Sequence, residues 1–294
     1  MSSSLRLEAP SALEYFQSLV ADDASLPLFE TAVSLAQDEF AGLDVQSVLA
    51  EMDALGARLR RRIPADSSPT NKLRWLNSYF FQELGFAGNV NNFYDMHNSF
   101  VHQVLSRRRG IPITLALIYM ELAGQIGLLA RGISFPGHFL VKLRMSQGEV
   151  VIDPFTGNSL SREHLEELLT PYRQAQGETG GPDGQEPATP LALFLRPAAP
   201  REVIARMLRN LKEIHRSNLD WARVLAVMQR LVLLLPDAPA ERRDRGQAFE
   251  HLGHFDAAAA DYVLYLEQCP DAPDHASVKQ RLFGLRGDGR YRLH

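Results

Sequence analysis

Residues 110–126, GIPITLALIYMELAGQI, decide the fold. Pro112 suits the first turn of a helix, and Ile113–Ile126 is apolar on almost every face, so this helix belongs inside a domain. Beyond Gly127 the period changes to that of strands: Arg131–Phe135, then His138–Arg144, a polar turn over Met145–Glu149, and Val150–Asp153 before Pro154. The segment FPGHFLVKL, 135–143, delivers His138 to the first position of a strand. If the last two strands form a hairpin, residues whose numbers sum to about 291 to 293 lie opposite each other, and His138 and Asp153 sum to 291. An odd sum puts both on one face of the sheet, whereas an even sum separates them.

Upstream, Ala12 to about Glu83 carries apolar residues at spacings of three and four, as in Val45, Val48, Leu49, Met52, Leu55 and Leu59. Breaks fall at Ala41-Gly42 and at Pro64–Pro69. Gly85–Ser99 is long for a structureless loop, and long ordered loops tend to serve function. Ser99–Arg109 reads as a short helix ended by Gly110. Phe80, Phe81, Phe86, Phe93, Tyr94 and Phe100 are expected in the core, the alternative being that this loop lines a groove beside His138; Asn98 is expected to cap the helix that follows, the alternative being that it reaches into that groove.

Downstream, Gln174–Pro190 carries four glycines, three acids and no base, the composition of an exposed linker. PDAP then occurs at Pro236–Pro239 and again at Pro270–Pro273, a separation of 34 residues, which is the period of tetratricopeptide repeats. Met228 with Tyr262, Leu231 with Tyr265 and His215 with Phe249 repeat in step. Gly246 and Ala258 fall where paired helices need small residues, while the first repeat has Lys212 and Val224 there. Two repeats and a closing helix over His275–Leu285 are a short array, which predicts packing against the first domain. The expected division is 1–173, a domain with a helical N-terminal extension; 174–199, a flexible linker; and 200–294, a repeat-like helical domain.

The 294 residues are 45% hydrophobic and 22% charged, as in ordinary soluble globular proteins. A net charge of −4 and an isoelectric point near 6.1 give no general reason to expect nucleic-acid binding, and Arg107-Arg108-Arg109 reads as a solvated helix end. The single cysteine, Cys269, makes no internal disulfide and fits a reducing compartment, and no apolar run approaches the length of a membrane span. A cytoplasmic protein with neither nucleic acid nor membrane as partner is expected, its oligomeric state open.

A buried helix followed by a hairpin presenting a histidine and then an aspartate is the layout of a papain-like or transglutaminase-like core, giving an α+β fold class. In such a layout a nucleophile at the helix N-terminus gives its proton to the histidine, which the carboxylate orients. The run NNFYDMHNSFVHQVLSRRRGIPITLALIYMELAGQIGL at 91–128, with GISFPGHFLVKL at 132–143 and VIDPFTG at 151–157, resembles the SirB family of bacterial proteins. RMLRNLKEIH at 206–215, RDRG at 243–246 and GHFDAAAADYVLYLEQCPDAPD at 253–274 resemble the same family's repeat half. A eukaryotic F-box protein family carries a similar central region. The resemblance implies a transglutaminase-like domain joined to tetratricopeptide repeats. It matches His138 and Asp153 to the histidine and aspartate of a cysteine, histidine and aspartate triad.

The cysteine itself is missing: Pro112–Thr114 holds none, and Cys269 lies far along the repeats. Two main readings follow. One is a non-catalytic adaptor or regulator, a pseudoenzyme, binding a protein or peptide through the repeats and the cleft near His138, or holding there a substrate-like peptide that it does not cut. The other is an amide or ester hydrolase or acyltransferase using Thr114 with the His138–Asp153 dyad. No cofactor or metal site is expected, since His97 and His102 are five apart across a loop-to-helix junction, a poor metal spacing, and His251 with His254 lacks an acid completing a ligand set at a fixed offset.

Overall fold

A computed structural model of the chain describes residues 10–146, 148–176 and 189–287. In chain order the helices are α1 (Ala12–Leu19), α2 (Leu28–Ser34), α3 (Val45–Arg60), α4 (Pro69–Asn77), α5 (Val101–Arg107), α6 (Pro112–Gln125), α7 (Arg162–Ala175), α8 (Leu191–Phe194), α9 (Pro200–Ser217), α10 (Trp221–Leu234), α11 (Pro239–His251), α12 (Phe255–Gln268) and α13 (His275–Gly287). The strands are β1 (Ala87–Gly88), β2 (Arg109–Gly110), β3 (Ala130–Ile133), β4 (Leu140–Met145), β5 (Gly148–Ile152) and β6 (Ser159–Leu160). Two compact units result. Leu28–Ala36 and Gly42–Val203 form one; the described residues before Leu28, Gln37–Ala41 and those from Ile204 onward form the other.

The first unit is built around α6. Leu115, Ala116, Ile118, Tyr119, Leu122 and Ala123 are all fully buried, as the uniformly apolar sequence requires. The helix packs against α3, α5, β3 and β4. The four strands β3-β4-β5-β6 form one antiparallel sheet, with Val141 opposite Ile152 and Leu143 opposite Val150. The register sum is therefore 293, odd, and at the top of the expected range. Alternation splits the sheet into two buried faces. Val141, Leu143 and Ile152 lie on one, and Ile133, Leu140 and Val151 lie on the other, against Leu165 and Leu169 of α7 and Leu191 of α8.

Several local readings are corrected here. The strand after FPGH begins at Leu140, so His138 and Asp153 sit in the turns flanking the ladder, outside it. The left-handed residue after α5 is Arg108, at φ 58, not Gly110. Gly110 instead belongs to β2, paired in parallel with Gly88, and a Cβ there would come within 2.9 Å of Thr114 Oγ1 and of Val104. The linker expected over 174–199 is folded at both described ends. Arg173 donates to the Thr189 carbonyl at 2.8 Å, Leu191 enters the sheet core, and Ala198 N–H donates to Gly132; residues 177–188 lie outside the described residues.

In the second unit α11 and α12 are an antiparallel pair and α13 packs against α12. The two PDAP segments lie after α10 and after α12, as the 34-residue period predicts. A Cβ on Gly246 would meet the Tyr262 ring at 2.7 Å, so this glycine is what lets α11 and α12 close up. At the matching place in the first repeat, Lys212 reaches Asp244 at 3.0 Å. The described residues before Leu28, expected with the first domain, group with the repeats because α1 packs on α10. There the buried Arg230 pairs with Asp38 at 2.7 Å and lies over the Phe16 ring, 5.4 Å from its centroid. Among the described residues, no helix is long and apolar enough to cross a membrane.

Candidate functional site

His138 is set by a reverse turn. Pro136 fixes the first central position of Phe135–His138, Gly137 supplies φ +67 at the second, and His138 N–H donates to the Phe135 carbonyl at 3.0 Å. This is the sequence signature of a type II turn. Asp153 is set by a second turn. Pro154 holds the preceding residue extended, Gly157 at φ +81 returns its N–H to the Asp153 carbonyl at 2.8 Å, and Asp153 N–H reaches Asn158. The two turns bring His138 Nε2 to 3.5 Å from Asp153 Oδ2. That spacing is an ion-pair contact beyond ordinary hydrogen-bond length.

The Asp153 carboxylate, 7% exposed, is otherwise satisfied. Oδ1 accepts the Phe155 N–H at 2.8 Å and Oδ2 accepts the Thr156 hydroxyl at 2.8 Å. Burial pushes its pKa up, but the nearby His138 side chain, together with the Phe155 amide and the Thr156 hydroxyl, holds it below the usual carboxylate range. His138 is about a quarter exposed, and its Nδ1 accepts the N–H of Phe139 at 3.1 Å. In the neutral ring the proton therefore lies on Nε2, facing Asp153.

Thr114 is not presented to this pair. It is wholly buried in the first turn of α6, and its hydroxyl donates to the Asn98 carbonyl at 2.7 Å and the Ile111 carbonyl at 3.0 Å. The nitrogen that would take a nucleophile's proton and the hydroxyl that would give it are both engaged with backbone.

The loop at 89–99 contributes residues that spacing did not reveal. Asn98 does not cap α5, which has no side-chain cap. Its amide nitrogen donates to the Asn92 and Phe93 carbonyls at 2.7 and 3.1 Å, and its oxygen accepts from Asn89 at 3.0 Å. Asp95 caps the short turn Met96–Ser99 and holds His97 and Arg107. The loop is thus ordered by side chains, while Val90, Phe93 and Tyr94, the last two expected in the core, are exposed. Phe155 links it to the site: its ring centroid is 6.0 Å from Phe93 and 6.5 Å from His138. The Phe155 ring fills the space over Gly88, where a Cβ would meet it at 2.4 Å.

The arginine run is likewise structural. Arg107 pairs with Asp95, Arg108 lies over Phe86 at 4.7 Å, and Arg109 donates to the Gly85 carbonyl at 2.6 Å. His251 stacks on Trp221 at 3.6 Å. Among the described residues, no three histidine, cysteine or carboxylate side chains converge as a metal site.

Residues 46–209 match the family described as the transglutaminase-like superfamily, and residues 211–282 match a tetratricopeptide-repeat family. The chain belongs to the transglutaminase-like superfamily, in the SirB family. A UPF0162 protein of Xylella fastidiosa (strain 9a5c) is 37% identical over 268 residues, covering 91% of this chain and 92% of the relative. A UPF0162 protein of Vibrio cholerae is 31% identical over 216 residues, covering 73% and 76%, and Protein SirB1 of Salmonella typhimurium (strain LT2) is 25% identical over 238 residues, covering 81% and 84%. No solved structure matches. In this SirB-family chain, FPGH and IDPF form the two turns that carry His138 and Asp153, and IPIT stands at the start of α6.

Proposed function

We propose that the chain is a non-catalytic adaptor or regulator, cytoplasmic, built from a transglutaminase-like domain without its cysteine and a tetratricopeptide-repeat unit that binds a protein or peptide. The observation that carries this reading is the commitment of the Thr114 hydroxyl to the Asn98 and Ile111 carbonyls, matched by the capture of His138 Nδ1 by the Phe139 amide. A nucleophile needs its proton within reach of a free base, and neither partner is free for the other. Tetratricopeptide repeats generally mediate protein–protein contacts, and helix pairs offer a groove suited to extended or helical segments. Exposed Phe93, joined to His138 through the Phe155 ring, supports an apolar contact surface beside His138 for a peptide that is held and not cut.

Incubation with an activated ester, followed by intact mass and initial-rate measurement, tests the absence of chemistry. Wild type, Thr114→Ala and His138→Ala are expected to behave alike. An acyl adduct or burst that depends on both Thr114 and His138 would establish the hydrolase or acyltransferase reading instead.

A further inference from the structure

Two arginine-rich stretches, RLRRR at 58–62 and RRR at 107–109, meet in the first unit on the segment Tyr79–Phe86. Arg62 pairs with Glu83 and lies over the Tyr79 ring, 5.3 Å from its centroid. Arg109 donates to the Gly85 carbonyl at 2.6 Å, and Arg108 lies over the Phe86 ring at 4.7 Å. Arg58, in the last turn of α3, is close enough that its charge acts on both Glu83 and Arg108. Four guanidinium groups thus gather around one segment, and the carboxylates whose fields reach them are Glu83 and, two turns before Arg58 on the same face of α3, Glu51.

The cluster is not neutralised from within. Among the described residues, Arg58, Arg108 and Arg109 stand in no ion pair, and Arg58, Arg62 and Arg109 are exposed. Arg108 is held against its own backbone preference, at φ 58 and ψ 20 in the capping position after α5, which glycine fills without strain. It is held against a like charge as well, since burial and the Arg58 guanidinium both push its pKa down. Its place over Phe86 accounts for an apolar cover, which an uncharged side chain would supply equally, and leaves the charge unanswered. A long polyanion is a poor answer, because a chain of net charge −4 repels whatever extends past the cluster. A short run of carboxylates answers the cluster alone, and the arginine fork matches carboxylate geometry.

We propose that Arg58, Arg62, Arg108 and Arg109 form a docking surface for a short acidic segment of a partner protein. Carboxylates of that segment pair with Arg58, Arg108 and Arg109, the three that lack one, while Glu83 keeps Arg62 oriented beside them. The surface shares no residue with the His138 cleft or with the repeats, so its failure and the failure of the reading given to either are separate results.

The test uses the full chain and a fluorescein-labelled, end-blocked hexaglutamate, followed by fluorescence anisotropy at about 20 mM salt. Saturable binding below about 1 mM is expected, weakened at least about tenfold at about 0.3 M salt, with no binding of the matching hexaglutamine. Arg58→Gln removes an exposed, unpaired charge, and Arg108→Met keeps the apolar cover over Phe86 while removing the charge. Each should weaken binding about threefold and the pair together about tenfold, with the urea midpoint unchanged, while Arg108→Lys retains most of the affinity. Arg162→Gln, at an exposed arginine of α7, should leave binding unchanged. No saturable binding, equal binding of hexaglutamine, undiminished binding by the double variant, or an equal loss in Arg162→Gln would each overturn the proposal. Tighter binding of an oligodeoxythymidine of about 20 nucleotides would assign the surface to nucleic acid and overturn it likewise.

Discussion

Thr114→Val tests whether this hydroxyl is a structural bond or an idle nucleophile. Valine matches threonine in shape but cannot donate. The Ile111 carbonyl keeps a second donor, the Leu115 N–H at 3.1 Å, so the loss falls mainly on the buried Asn98 carbonyl. Depriving a buried polar group of its donor costs about 1–3 kcal/mol. Thr114→Ser keeps the donor and removes one methyl, worth about 1 kcal/mol. Urea unfolding followed by Trp75 fluorescence, in a Trp221→Phe background so that only the first unit reports, should therefore rank wild type above serine and serine above valine. The loss of the Asn98 tie should also raise amide exchange over residues 89–99. A valine variant as stable as wild type, or more so, would refute the view that the hydroxyl is committed to backbone.

The depressed pKa of Asp153 means that its ionised form stabilises the fold: this contribution is full above the ordinary carboxylate range and is lost as pH falls through the folded value below it. The wild-type urea midpoint should accordingly decline more steeply on acidification than that of Asp153→Asn, and parallel profiles would contradict the assigned partners. Gly246→Leu forces the Tyr262 ring off α11, and overpacking of this kind costs about 1–3 kcal/mol, read as a lower midpoint for Trp221-reported unfolding in a Trp75→Phe background. Gly253→Ala, at φ +78 with no atom within 4 Å, perturbs only the backbone and should cost less, of order 1 kcal/mol.

Much of the architecture was legible because it rests on periodicity. An all-apolar helix after Gly110-Ile111-Pro112 has to be buried, and a 34-residue repeat of PDAP has to space helix pairs evenly. Pro136-Gly137 and Pro154 marked where the strands break, but His138 and Asp153 read as strand residues and lie instead in the turns flanking the ladder. What failed were readings of single residues whose role depends on distant neighbours. Asn98 looked like a helix cap and instead spans the 89–99 loop. Arg107 and Arg109 are exposed, as a solvated helix end requires, but Arg107 also pairs with Asp95 of that loop, a partner no spacing announced. The grouping of α1 with the repeats depends on Arg230 meeting Asp38 and Phe16, contacts across most of the chain that no local pattern encodes.

By itself, the sequence determined the helix-then-hairpin core, the repeats, and the absence of a cysteine at the start of α6. These follow from local dihedral preference and from the burial pattern along the chain. Only the tertiary structure decided where the Thr114 hydroxyl points and what occupies His138 Nδ1, because a hydrogen bond goes to whichever acceptor or donor the packed fold brings within about 3 Å. Here packing brought Asn98 and Ile111 to the hydroxyl, and the turn brought the Phe139 amide to the imidazole.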